Sequence, residues 1–259
     1  MTQAERRLFL IRSLMEEKTE YRDLRVPKDA QGQRQLLRSL MNVRLPGAIG
    51  GEFLAVQDAY LRQELAEDGV TQAEDLRPVR GDLCLWQGDI TRLQCGVIVN
   101  AANSGMTGCY IPCHACIDNC IHTYAGIQLR LDCARLMVAQ GREEPTGQAQ
   151  ITRAYNLPCD YVLHTVGPIV EGSVTAEDER LLASCYRSCL ELAEQHNVKS
   201  IAFCCISTGV FHFPGERAAE VAVAAVERYK KETGSGIKVI FNVFKDTDRK
   251  IYEQILGGN

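Results

Sequence analysis

Two runs of this chain, Gly96-Val97-Ile98-Val99-Asn100 and Ile201-Ala202-Phe203-Cys204-Cys205-Ile206, are nearly all apolar, and turn residues bound them closely. A strand that is apolar on both faces cannot sit in a sheet with one face in water, so each run predicts a central strand covered on both sides. Further β-rich runs lie at Leu83–Trp86, Tyr161–Thr165 and Lys238–Phe244, with a weaker one at Ala149–Arg153; the central runs extend over Val97–Asn100 and Ser200–Ile206. Helical stretches at Ile117–Met137, Glu177–His196, Glu216–Glu232 and Asp246–Leu256 alternate with them. Alternation of this kind predicts an α/β fold with a mostly parallel or mixed sheet between helical layers. Ligands in such folds bind beyond the carboxyl ends of the strands, so the loops after Asn100 and Ile206 are where chemistry is expected.

The first residues read differently. Leu8, Ile11, Leu14 and Met15 share one helix face, as do Leu36, Leu37, Leu40 and Met41. A break at Leu45-Pro46-Gly47 precedes a helical run that stops at Gly69. The expected organisation is a helical extension over 1–75 and an α/β domain over 76–259. Hydrophobic residues make up 46% and charged residues 24%, which provides a core without help from disulfides. A net charge of −4 argues against a nucleic-acid partner, although backbone N–H groups can still hold one nucleotide-sized anion. The amphipathic start does not resemble a signal peptide, and no apolar stretch suits a membrane span. A cytoplasmic protein is expected, its twelve cysteines reduced thiols, core residues or metal ligands.

The loop Asn100-Ala101-Ala102-Asn103-Ser104-Gly105 offers two amides to sugar hydroxyls, and Ser207-Thr208-Gly209-Val210-Phe211 can cradle a diphosphate with backbone N–H groups. Either alone is an ordinary turn composition. Together with Gly88-Asp89-Ile90-Thr91 and Asp118-Asn119-Cys120-Ile121-His122, their order and spacing resemble the macrodomain family over roughly residues 80 to 256. The resemblance implies a three-layer α/β/α fold with a mixed central sheet that binds ADP-ribose. Asp89 would then accept from the adenine amino group, with Ile90 lining that pocket and Phe244 covering the ring. Asn103 would face the distal ribose, Asn100 would support its loop, and Ser207, Thr208, Gly209, Val210 and Phe211 would wrap the diphosphate and ribose. Other readings remain: a solvated turn for Asp89, a core aromatic for Phe244 and a hydrophobic plug for Phe211.

Gly108-Cys109-Tyr110-Ile111-Pro112-Cys113-His114-Ala115-Cys116 departs from the glycine-rich stretch usual at this place. Thiolates with an imidazole are a zinc ligand set. Cys109-x4-His114-x-Cys116 resembles the zinc-dependent microbial macrodomains, which carry a helical extension, and implies Cys109, His114 and Cys116 as ligands. Three ligands leave a coordination position for water or substrate and mark a catalytic site, whereas Cys113 as a fourth would close it. The N-terminus of the following helix is expected to favour thiolate at Cys116. Asp118, in that first turn, is implied as the group that orients or activates water, with Asn103 beside it; alternatively it serves the helix dipole alone. His122 reads as a packed helix residue bonded to backbone, while Cys204 and Cys205 read as core.

The expected activity is zinc-dependent removal of ADP-ribose from mono-ADP-ribosylated proteins. The alternatives are a reader module that binds ADP-ribose without cleaving it, and a deacetylase of O-acetyl-ADP-ribose.

Overall fold

The protein is described by a computed structural model over residues 1–258. Helices α1 (Gln3–Glu16), α2 (Ala30–Val43) and α3 (Gly51–Asp68) open the chain. Thr2 and Glu5 form a capping box at the start of α1, Asp29 caps α2 through the Gly32 N–H, and α3 stops at Gly69, whose φ is 84°. Their buried faces converge on a small separate core around Leu10, Ile11, Leu14, Leu37, Leu40 and Tyr60. Met15 only flanks it, Leu8 is half-buried, and Leu10 is fully buried within it.

A short parallel pair, β1 (Thr71–Gln72) with β4 (Leu93–Gln94), leads into the main sheet. Its strands are β2 (Pro78–Arg80), β3 (Leu83–Gln87), β5 (Val97–Ala101), β6 (Ala149–Arg153), β7 (Tyr161–Thr165), β8 (Ser200–Phe203) and β9 (Lys238–Val243). They run in the order β2-β3-β9-β8-β5-β7-β6, parallel at the centre and antiparallel at both edges. Helices α4 (Ile117–Ala125) and α5 (Ile127–Gln140) follow β5, α6 (Ala176–Gln195) follows β7, α7 (Gly215–Thr233) follows β8, and α8 (Asp246–Gly257) ends the fold. All twelve cysteines are free, and no described helix is long and apolar enough to cross a membrane.

Strand order explains where a ligand can enter. From β5 the chain runs through α4 and α5 to the edge strand β6, turns back into β7 beside β5, then returns past β5 to β8 on the other side. The crossovers from β7 to β8 and from β8 to β9 run the same way along the sheet, so α6 and α7 share a face, and α8 packs beside α7 in the same layer. The connections from β5 and β8 therefore diverge above neighbouring strands and leave a crevice between them.

Several expected bounds differ, most by a single residue. The central run expected to reach Ile206 leaves the sheet after Phe203, and the last strand ends at Val243 instead of Phe244. The helix expected over Ile117–Met137 breaks at Gly126. Gly126 has φ 99°, and a Cβ there would lie 2.6 Å from Gln57 Nε2. Conformation and the approach of α3 both demand glycine. Gln57 Oε1 then accepts from the Ile127 N–H at 3.0 Å and caps α5.

Candidate active site and metal centre

Asp118 occupies the first turn of α4 and is 5% exposed. Asn100, at the end of β5, donates from Nδ2 to Asp118 Oδ1 at 2.8 Å, and Asn103 Nδ2 donates to Oδ2 at 3.2 Å. Burial pushes the carboxyl up to about 6, against the pull of Asn100, Arg130 and Asn103. His164 on β7 holds Asn100 from behind. Its Nδ1 lies 3.1 Å from Asn100 Nδ2, which can only donate, so the ring proton sits on Nε2 and points to Thr152 Oγ1 at 2.9 Å. Burial drives His164 down to about 3, leaving it neutral.

His122 is not bonded to backbone as expected. Both ring nitrogens are buried without a hydrogen-bond partner among the described residues, and Nε2 stands 3.6 Å from Asp118 Oδ1, beyond a hydrogen bond. Desolvation lowers its pKa well below the usual value. Gly108 packs on this ring: a Cβ there would come 2.7 Å from Cδ2, and φ is 84°.

A cleft of about 390 Å³ opens above β5 and β8. Asp89 and Ile90 form part of one wall and Phe244 stands at its edge, 74% exposed and therefore not a core aromatic. Asp89 Oδ1 accepts from the Thr91 N–H at 3.0 Å and from Thr91 Oγ1 at 2.7 Å, which leaves Oδ2 available. The turn role and a ligand role are thus compatible. Ser207, Thr208, Gly209, Val210 and Phe211 line the same cleft, and Val210 is 66% exposed. Ser207 is buried at φ 65°, a conformation costly for a residue with a side chain. The N–H groups of Gly209, Val210 and Phe211 have no acceptor among the described residues. Successive free N–H groups in a turn form an anion-binding concavity. Cys204 is buried as expected; Cys205 is half-buried and reaches the cleft. Asn100, Asn103 and Asp118 lie behind this wall and do not line it; Cys116, Ile117 and Ala115 do.

The loop before α4 brings three soft donors together. Cys109 Sγ, one His114 ring nitrogen and Cys116 Sγ lie within 4.8 Å of one another, with Cys109 Sγ and His114 Nδ1 3.6 Å apart. Bonds of about 2.0–2.3 Å to a tetrahedral ion require separations of this size, so the donors fit zinc. Cys116 caps α4, its Sγ accepting from the Asn119 N–H at 3.4 Å. That bond favours the thiolate, but burial outweighs it and pushes the thiol up to about 12, with Cys109 and Asp118 adding to the rise. Two thiolates held this close call for a compensating positive charge, which a cation between the sulfurs would supply. Cys113 points elsewhere. At φ 53° and exposed, it sets its Sγ 3.2 Å from Ser39 Oγ and 3.5 Å from the Gln35 carbonyl, both on α2. Three donors converge and the fourth does not.

Several contributors escaped the sequence. Arg38 on α2 lines the cleft and donates from Nη2 to the His114 carbonyl at 2.8 Å and to Asn119 Oδ1 at 3.0 Å. Asn119 Nδ2 donates to the Ile111 carbonyl at 2.9 Å. Buried Arg130 on α5 reaches the Thr107 carbonyl at 2.8 Å and stacks its guanidinium 4.4 Å from the Tyr110 ring centre. No local motif marks Arg38 or Arg130, because their partners are distant in the chain; Asn119 lies within the Asp118–His122 motif, but nothing there shows that it holds the Ile111 carbonyl.

The family model for the macro domain matches residues 99–222. A protein-ADP-ribose hydrolase from Treponema medium is 56% identical, covering 99% of this chain and 100% of that protein. One of the same name from Staphylococcus aureus is 50% identical over 95% of this chain and 93% of its own length. Among solved structures, the Trypanosoma brucei macrodomain in complex with ADP-ribose superposes with a TM-score of 0.66 at 32% identity, covering 85% of this chain and 95% of that one. With end-to-end similarity of that degree and a shared fold, this chain belongs to the macrodomain family.

Proposed function

We propose that this macrodomain removes ADP-ribose from mono-ADP-ribosylated proteins as a zinc-dependent hydrolase, with zinc held by Cys109, His114 and Cys116. The observation that carries the reading is the convergence of those three donors on one point, with Cys116 lining the cleft two residues before Asp118 in the chain. The relatives named protein-ADP-ribose hydrolase support the activity, and the trypanosome macrodomain bound to ADP-ribose supports the ligand. A module that only binds ADP-ribose has no use for an open three-donor centre. Twelve unpaired thiols suit the reducing cytoplasm, where we place the protein.

Asp89 Oδ2 accepts from the adenine amino group, while Ile90 and Phe244 flank the ring. The N–H groups of Gly209, Val210 and Phe211 donate to the diphosphate. On this reading the distal ribose extends toward the end of the cleft formed by Ala115, Cys116 and Ile117, behind which lie Asn103 and Asp118. Hydrolysis adds water across the bond between the anomeric carbon and the protein side chain: hydroxyl goes to the ribose and a proton goes to the departing side chain. Asp118, fixed by two amide donors, orients the attacking water and accepts its proton, then returns one to the leaving group. Bound at the three donors, zinc supplies Lewis acidity toward substrate oxygen at neutral pH.

The test is turnover of a mono-ADP-ribosylated protein before chelation, after it, and after zinc is restored. Loss and recovery are expected. Unchanged turnover in metal-free protein removes zinc from the reading, and binding of ADP-ribose without any turnover favours the reader.

A further inference from the structure

The helical extension touches the metal loop at the positions that decide its shape. Asn42, 1% exposed near the end of α2, accepts the Cys113 N–H at Oδ1 across 2.9 Å and donates from Nδ2 to Thr123 Oγ1 at 2.8 Å. Arg38, one turn earlier on the same helix, takes the His114 carbonyl. Cys113 and His114 are neighbours, so α2 grips the loop by a donor and an acceptor at its centre. Ser39 and, one turn earlier on α2, the Gln35 carbonyl occupy the Cys113 thiol and keep it from the converging donors. Arg130 completes the bracket: Nη1 reaches the carbonyls of Met41, Asn42 and Arg44 at 3.0, 2.8 and 2.6 Å, while Nε holds Thr107 at the start of the loop.

We infer that α2 is half of the metal site: Asn42 and Arg38 hold the loop at Cys113 and His114 so that Cys109, His114 and Cys116 converge and Cys113 stays out. The inference rests on the zinc reading given above. Both are positioning residues, acting on the ion only through the backbone they hold. A flexible loop with four soft side chains can close on an ion in several ways; a bracketed one starts in the three-donor arrangement. Outer partners of metal ligands commonly govern affinity by about 10–100-fold. Helix α2, packed on α1, is on this view part of the active centre.

Zinc affinity of the full-length protein, measured by competition with a chromogenic chelator, tests this in Asn42→Leu and Arg38→Met. Each is expected to bind zinc about 10–100-fold more weakly. Gln33→Ala is the control for general loosening, because buried Gln33 ties α2 to Arg7 of α1 and to the Pro27 carbonyl without touching the loop. It is expected to lower the melting temperature while leaving zinc affinity as in the parent. Parent-like zinc binding in both Asn42→Leu and Arg38→Met, or an equal loss in Gln33→Ala, overturns the inference. Cys116→Ser separates it from the zinc reading. If that variant binds zinc as the parent does, the ion is held elsewhere and both fall; if it loses zinc while the α2 variants keep it, only this inference falls.

Discussion

Asp118 is a carboxylate whose neighbours do two different things. The amides of Asn100 and Asn103 fix both oxygens, and burial raises the carboxyl toward neutrality. Removing it by Asp118→Ala is expected to lower turnover by about 10²–10⁴-fold, in the range of a lost acid–base group, while calorimetry finds ADP-ribose binding retained. A comparable loss of affinity would mean that the residue serves binding and not chemistry. Phe244→Ala should do the converse. With 74% of the residue exposed, it contributes little to the core, so the melting temperature should hold while ADP-ribose affinity falls by about 1–3 kcal/mol, the worth of a base–aromatic stack. Gly108→Ala forces a Cβ into the His122 ring at a φ of 84°, and chemical denaturation should show a loss of about 1–3 kcal/mol.

At the scale of elements, the apolar runs made the central strands readable, since only a doubly covered strand accommodates Val97, Ile98 and Val99 in succession. The break between α4 and α5 was not readable. A lone glycine in a helical pattern is usually tolerated, and only the approach of Gln57 from α3 shows why Gly126 ends one helix and starts another. Cys113 was undecidable for a similar reason: nothing local distinguishes it from Cys109, whereas Ser39 and the Gln35 carbonyl, far away in the chain, turn it aside. Arg130 was invisible too, although it satisfies the carbonyls at the end of α2 that a helix leaves without intrahelical donors. Arg130→Met deprives those carbonyls and Thr107 of their donor, and urea unfolding should show a loss of about 2–4 kcal/mol.

For the molecule as a whole, the cleft follows from strand order, and the proposed function assigns the nucleotide contacts to the loops after β5 and β8 and the chemistry to the stretch between β5 and α4. The helical extension brackets that loop from outside. The account stands on zinc at Cys109, His114 and Cys116 being required for cleavage. It is tested most directly by titrating zinc into metal-depleted protein while following both metal content and release of ADP-ribose from a modified protein. Cleavage that rises in proportion to bound zinc and levels off at one ion per chain, with no response in Cys116→Ser, is the predicted result. Full cleavage before any zinc is added, or the same zinc response in Cys116→Ser, would contradict it.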